Sequence, residues 1–311
     1  MSFAKEVHAD KKKIKNSAPV GLIDKKADAV LVMISVIALV VVAYPLYYVL
    51  IASVSNPYDV YAGKTFLLPS GFTLAGYKAV FADSTIATGF INSVKYTVTG
   101  TLFSVIMLLL TAYPLSVKEL PGRKVLGVFF LITMYFGGGL IPTYLVVKNT
   151  GLINNMWSLF LPGGVSVANM IIMRNFFENS IPKELNEAAK IDGASNWQIF
   201  IKVVLPLAKA IIAVMVVFSM VAYWNDWFTA LIYLPKQGMA PLPLVLRNVL
   251  IKSSASAAQA STISGGYAEL NKLTELIKFS SMIVAAVPML IVYPFVQKYF
   301  EKGVMTGAVK G

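Results

Sequence analysis

The chain has 311 residues, of which 57% are hydrophobic and 14% charged, with a mean hydropathy of +0.70; soluble domains are nearer a quarter charged, so a polytopic membrane protein is indicated. There is no cysteine and one histidine, His8 in a polar tail. This excludes a disulfide framework, thiolate metal sites, a cysteine nucleophile and histidine chemistry in the body. The net charge of +12 sits mostly beside apolar runs, which fits anionic lipid and topology better than nucleic acid.

Spans of about 20 apolar residues are expected at roughly 29–54, 93–117, 125–147, 157–177, 208–233 and 280–299. Residues 1–28 form a basic tail rather than a secretory signal, because the run from Ala29 to Val54 is too long for a signal core and lacks a small-residue cleavage site. Gly137, Gly138 and Gly139 with Pro142 break the third span, and Pro114, Pro288 and Pro294 interrupt others. Such breaks line a cavity or mark close packing. Pro162, Gly163, Gly164, Asn169 and Arg174 interrupt or flank the fourth, with Arg174 read as a topology anchor. Lys and Arg number about 18 on the side of both termini against 8 on the other. The termini, the loop 178–207 and the tail 301–311 are therefore expected in the cytoplasm, and 234–279 outside. Within that external loop, 253–264 reads as a flexible low-complexity segment. Arg247 and its neighbours PLPLVLRNVL are candidates to face a delivered ligand or a binding protein.

Two echoes of nucleotide chemistry are rejected. Gly63-Lys64-Thr65 resembles the end of a phosphate-binding loop, but Tyr58 stands where that loop needs glycine. Ile263-Ser264-Gly265-Gly266 reads as an external turn. The chain is thus not expected to hydrolyse ATP, and no metal site is expected. The outer part of the fifth span carries Tyr223, Trp224, Asn225, Asp226 and Trp227. An acid within a span is expensive and usually functional. Aromatic rings stack on sugar faces, and Asn and Asp bind hydroxyls. The same residues also fit an interfacial aromatic belt with Asp226 reaching headgroup water. Both readings stay open at this point.

The most informative stretch is EAAKIDGASNWQIFIKVVLP, Glu187 to Pro206. Pro182 suits the first helical position, and Leu185, Ala188 and Ala189 share a helical face. Gly193 suits the left-handed residue that ends such a helix. Ser195 with Gln198 forms a capping box opening a second helix. Trp197, Phe200, Ile201 and Val204 then follow at i, i+3, i+4, i+7, until Pro206 stops or kinks the helix. A helix–bend–helix of this kind suits a groove on another protein or a membrane surface.

Glu187, Ala188, Ala189, Gly193, Val203, Leu205 and Pro206 resemble the EAA loop of importer-type ATP-binding-cassette permeases. Val203 replaces the usual isoleucine, and Ala210 stands where many relatives carry proline. The runs AYPLSVKELPGRKVLG, MYFGGGLIPTYLVVKNTGLINNMWSLFLPGG, NMIIMRNFFENSIPKELNEAAKIDGAS and YFEKGVMTGAVKG extend the likeness to nearly the whole chain from about residue 25. They resemble maltose-type carbohydrate permeases, in particular a Gram-positive branch importing complex oligosaccharides. The resemblance implies an all-α, six-span type I importer permease in the plasma membrane, with residues 29–300 as the permease domain. The implied partners are a second homologous permease, two ATPase copies that bind ATP and magnesium, an external solute-binding lipoprotein, membrane lipid and the oligosaccharide. Glu187, Ala188, Ala189, Asp192, Gly193, Trp197, Leu205 and Pro206 would engage the ATPase, with Glu187 pairing a basic residue there. Tyr223, Trp224, Asn225 and Asp226 are the candidate substrate path. The alternatives are the same architecture moving a polyamine or phosphate, or a self-sufficient secondary transporter. A membrane enzyme would need an acid/base cluster at membrane depth, which this sequence lacks.

Overall fold

A computed structural model describes residues 25–260, 277–292 and 294. The basic tail before residue 25, Ile263 to Gly266, the end of the sixth expected span and the C-terminal tail lie outside the described residues. Those described fold as helices with no strand among them. α1 spans Lys25–Ser53, α2 Pro57–Tyr61, α3 Ala75–Ala82, α4 Ser84–Ser116, α5 Arg123–Tyr135, α6 Leu140–Asn149 and α7 Val167–Ser180. α8 follows at Lys183–Ile191, α9 at Asn196–Leu207, α10 at Lys209–Asn225, α11 at Phe228–Tyr233, α12 at Leu242–Ala260 and α13 at Ile277–Val292.

By length and composition α1, from Asp28 to Ser53, and α4 can each cross a membrane alone. α4 begins well before the expected boundary at 93 because Asp83 caps it, accepting from the Thr85 N–H at 2.8 Å. The third span is bent: α5 and α6 diverge by 113° at the glycine triplet, where Gly139 has φ +83°, a value glycine adopts freely. The fourth expected span is not one helix. It consists of a 3-10 turn at Met156–Leu159, an irregular stretch and the 14-residue α7. Gly164 makes the intervening turn possible, since a Cβ there would stand 2.5 Å from the Phe103 ring.

α4 is the hub. Its C-terminal half packs Val105, Leu108, Ala112 and Leu115 against Met170, Met173 and Phe177 of α7, Ile199, Phe200 and Val204 of α9, and Met215 of α10. Its N-terminal half is lined by small residues. Gly89 leaves room for Leu242 and Val245 of α12, and Gly100 for Phe160 and Tyr223, the close approach typical of membrane helices. The expected external loop therefore contains a 19-residue helix held to the bundle. Leu242 donates its N–H to Ser93 Oγ at 2.8 Å, the Asn92 side chain donates to the Gly238 and Ala240 carbonyls, and the Tyr96 hydroxyl donates to Met239 O. Residues 253–260, expected to be a flexible loop, continue that helix. Serine and alanine sustain it because the buried Leu242, Leu244, Val245 and Leu246 anchor its first turn.

Candidate functional site

Two regions hold the residues singled out in the sequence. The first is the α8–α9 unit. α8 begins at Lys183, so Pro182 is its N-cap, one residue before the expected first helical position. Gly193 has φ +78° and ends the helix. The Ser195–Gln198 capping box is present in both directions: Gln198 N–H donates to Ser195 Oγ, and Ser195 N–H donates to Gln198 Oε1 at 2.8 Å. The apolar stripe divides. Phe200 and Val204 are buried in the main core, whereas Trp197 is 60% and Ile201 44% exposed. Glu187, Ala188, Asp192 and Gly193 are all exposed, Ala189 packs partly on the core, and Ile191 is 86% exposed. The unit thus roots one face in the bundle and leaves an acid–small–apolar face free.

Pro206 lacks an N–H, and the helix before it widens into a π turn over Phe200–Val204. Half-buried Leu205 and exposed Pro206 complete α9, which meets α10 at 79°. Beneath α8 lies a cleft of about 210 Å³ edged by Tyr113, Glu178, Asn186, Glu187 and Lys190. Behind it Tyr113 stacks on Phe200 with ring centroids 4.8 Å apart. Glu178 on the cleft edge belongs to a charge cluster that was not legible in the sequence. Arg174 Nε donates to Glu178 Oε1 at 2.9 Å, and Arg123 donates to the same oxygen. Arg123 Nε also donates to the Leu115 carbonyl at 2.7 Å. The residue read as a topology anchor, Arg174, therefore shares one carboxylate that ties α4, α5 and α7 together.

The second region is a cavity of about 590 Å³ between α4, α7, α10, α11 and the 156–166 turn. Tyr223, Asn225 and Asp226 line it, together with Ser104, Asn169 and Ser219. Trp224 does not. It is 5% exposed, donates Nε1–H to the Ala285 carbonyl at 3.1 Å and meets Phe90 edge-on. Asp226 ends α10 instead of sitting within a continuous span, and its Oδ1 accepts from the Thr229 N–H at 3.0 Å, capping α11. Trp227 turns aside to lie under the Arg247 guanidinium, 4.6 Å from the ring centroid. The sequence reading missed Ser104, Ser158, Asn169 and Ser219. Their signal was a small hydroxyl or amide on the same face of successive apolar helices. Nearer the start of α4, the Thr97 and Thr101 hydroxyls are buried without a hydrogen-bond partner among the described residues. Gly63-Lys64-Thr65 is a turn in which Lys64 pairs with Asp59 at 3.7 Å, not a phosphate cradle.

A bundle with bent spans, a free helix–bend–helix and a polar cavity is the architecture of a solute permease. The family described as binding-protein-dependent transport system inner membrane component matches residues 17–306. This chain belongs to that family. It is therefore a non-catalytic, membrane-spanning permease with the type I importer fold. Among relatives, it is 40% identical over 267 residues to the polygalacturonan/rhamnogalacturonan transport system permease protein YtcP of Bacillus subtilis (strain 168), covering 86% of this permease and 92% of that one. A crystal structure of a bacterial ABC transporter involved in the import of the acidic polysaccharide alginate matches with TM-score 0.80 and 31% identity, covering 90% of this chain and 98% of that one. A second alginate transporter structure, in complex with a pentasaccharide-bound periplasmic protein, matches with TM-score 0.57 at 17% identity, a likeness of fold alone, over 88% of this chain and 93% of that one.

Proposed function

We propose that this permease is one of two halves of an ATP-driven importer of oligosaccharides, with both termini and the α8–α9 unit in the cytoplasm. In this reading a second homologous permease completes the pathway, two ATPase copies dock on the two EAA loops, and an external binding lipoprotein delivers the sugar. ATP and magnesium belong to the ATPase. The carrying observation is the exposed helix–bend–helix: Glu187, Ala188 and Asp192 stand free while Ile199, Phe200 and Val204 are buried. An exposed acid beside small residues suits insertion into a groove bearing a basic group. Closure of the ATPases would draw two such units together and turn the cavity from inward- to outward-facing as a rigid-body change.

The cavity lining supports a sugar over an ion. Hydroxyls and amides on an otherwise apolar wall are the partners that a sugar's hydroxyls need. Asp226 is the only charged residue among the described lining. Any carboxylate of a uronate-bearing sugar, such as those the relatives carry, would then meet the other permease half. Reconstitution in liposomes tests the whole reading. The four-component complex takes up labelled oligosaccharide only with ATP, and this chain alone neither hydrolyses ATP nor responds to an ion gradient. Gradient-driven uptake by the isolated chain would make it a secondary transporter instead.

A further inference from the structure

Residues 62–74 form a strap that folds back along the end of α1, and four large apolar side chains on it have no cover. Phe66 is 63% exposed, Leu67 61%, Leu68 75% and Phe72 71%. The entry to the strap is fixed by the Lys64 N–H, which donates to Asp59 O at 2.8 Å, and by the Ala62 N–H, which donates to Tyr58 O at 2.9 Å, and the returning end is fixed as well. Asn56 N–H donates to Ser70 O at 2.7 Å, Thr73 N–H donates to Val54 O at 2.8 Å, and the Ser70 hydroxyl donates to Asp59 Oδ2 at 2.8 Å. Gly71 lets the returning chain pass Asn56, where a Cβ would stand 2.8 Å from the Asn56 Cβ. Between those ends the strap descends. The Tyr44 hydroxyl donates to the Phe66 carbonyl at 3.2 Å, the Tyr47 hydroxyl donates to the Leu67 carbonyl, and the Tyr44 and Phe66 rings lie 5.5 Å apart.

The strap's tip therefore lies level with Tyr44, about 14 Å below the end of α1 at helical rise. α1 is otherwise an uninterrupted apolar run with its face exposed, and Tyr44, Tyr47 and Tyr48 mark the interfacial belt of that run. Non-helical backbone at such a depth needs its carbonyls satisfied from within the protein. The two tyrosine hydroxyls do this at the tip, and Pro69 brings no N–H to satisfy. We infer that the strap is a membrane-interface anchor, with Phe66, Leu67, Leu68 and Phe72 seated at the headgroup–acyl boundary of the leaflet opposite the basic tail. This rests on the membrane-spanning reading of α1 and not on the sugar.

The chain has no cysteine, so single spin labels can be placed cleanly. Phe66→Cys, Leu68→Cys and Phe72→Cys are each labelled in the assembled transporter in nanodiscs of phosphatidylethanolamine and phosphatidylglycerol. Collision with oxygen is compared with collision with a water-soluble nickel chelate. Leu46→Cys on α1 is the lipid reference and Gln237→Cys the aqueous one. At two or more of the three strap sites, nickel access about tenfold below that at Gln237→Cys, with oxygen access equal to that at Leu46→Cys, is expected for residues in the bilayer. Nickel access like the aqueous reference overturns the anchor. So does low access to both reagents, which would mean that a protein subunit covers the strap. Sugar uptake by the unlabelled transporter is measured in parallel, so a failed transport reading is seen separately from a misplaced strap.

Discussion

Replacing Glu178 should weaken this permease more than replacing either arginine that it holds. Its carboxylate accepts from Arg123 and Arg174, and the three side chains are 24%, 21% and 29% exposed. Truncating one partner of a fully buried pair costs about 3–5 kcal/mol, while an exposed pair is worth roughly 0–1 kcal/mol. With about a quarter of each side chain wet, Glu178→Gln should cost about 2 kcal/mol, because two guanidinium groups lose one carboxylate together. Arg174→Ala leaves Arg123 on Glu178 and removes an i,i+4 pair, about 0.5 kcal/mol. Arg123→Ala should fall between, since it also frees the buried Leu115 carbonyl. For a chain of this length these convert to shifts of roughly 4 °C and 1 °C for Glu178→Gln and Arg174→Ala. Thermal unfolding of the nanodisc-held transporter, followed by tryptophan fluorescence, reads the difference. Equal shifts for Glu178→Gln and Arg174→Ala would refute the shared-carboxylate account.

Glu187→Ala and Gly193→Pro should leave membrane insertion intact but abolish uptake and recovery of the ATPase on co-purification, the second because φ +78° is closed to proline. Gly100→Ala should destabilise by about 1–3 kcal/mol and reduce uptake, because its Cβ would stand 2.8 Å from the Phe160 ring and 2.9 Å from that of Tyr223. Gly127→Ala meets nothing within 4 Å and should be neutral or slightly stabilising in the same unfolding assay. Asp226→Asn keeps an oxygen on the Thr229 N–H and should unfold like the parent, whereas Asp226→Ala should lose about 1 kcal/mol; equal losses would assign the effect to charge and not to the cap. Asn225→Ala should lower uptake with ATPase recovery unchanged, and unaltered uptake would move the sugar contacts to the other half.

The α8–α9 unit was legible in the sequence because its rules are local. A proline before α8, a glycine after it and a Ser–Gln pair three residues apart fix its ends without distant help. The cluster at 223–227 was legible as chemistry but not as geometry. Consecutive helical residues point about 100° apart, so Tyr223 reached the cavity while Trp224 turned into the core with Val245 and Leu246. α12 was hidden because Pro241 and Pro243 look like loop and its SSASAAQA end looks unstructured. Tertiary contacts to Ser93 and Gly89 decide that helix. The Arg123–Glu178–Arg174 cluster joins residues 55 apart in the chain, and no short-range pattern announces it.

The 79° corner between α9 and α10 has the geometry of a crank. α9 is pinned in the core by Ile199, Phe200 and Val204, and its axis meets that of α10 at 79°, so a small roll of one becomes a swing of the other. α10 has 17 residues, a lever arm of about 25 Å at helical rise. A swing of about 10° at the corner would carry its far end roughly 4 Å sideways. That end bears Tyr223 and Asn225, so the cavity wall would move by more than a water diameter for a small displacement at the α9 end. The π turn at Phe200–Val204 lies one turn before that corner, which falls at Ala208, and its Phe200 and Val204 side chains are the ones buried in the core.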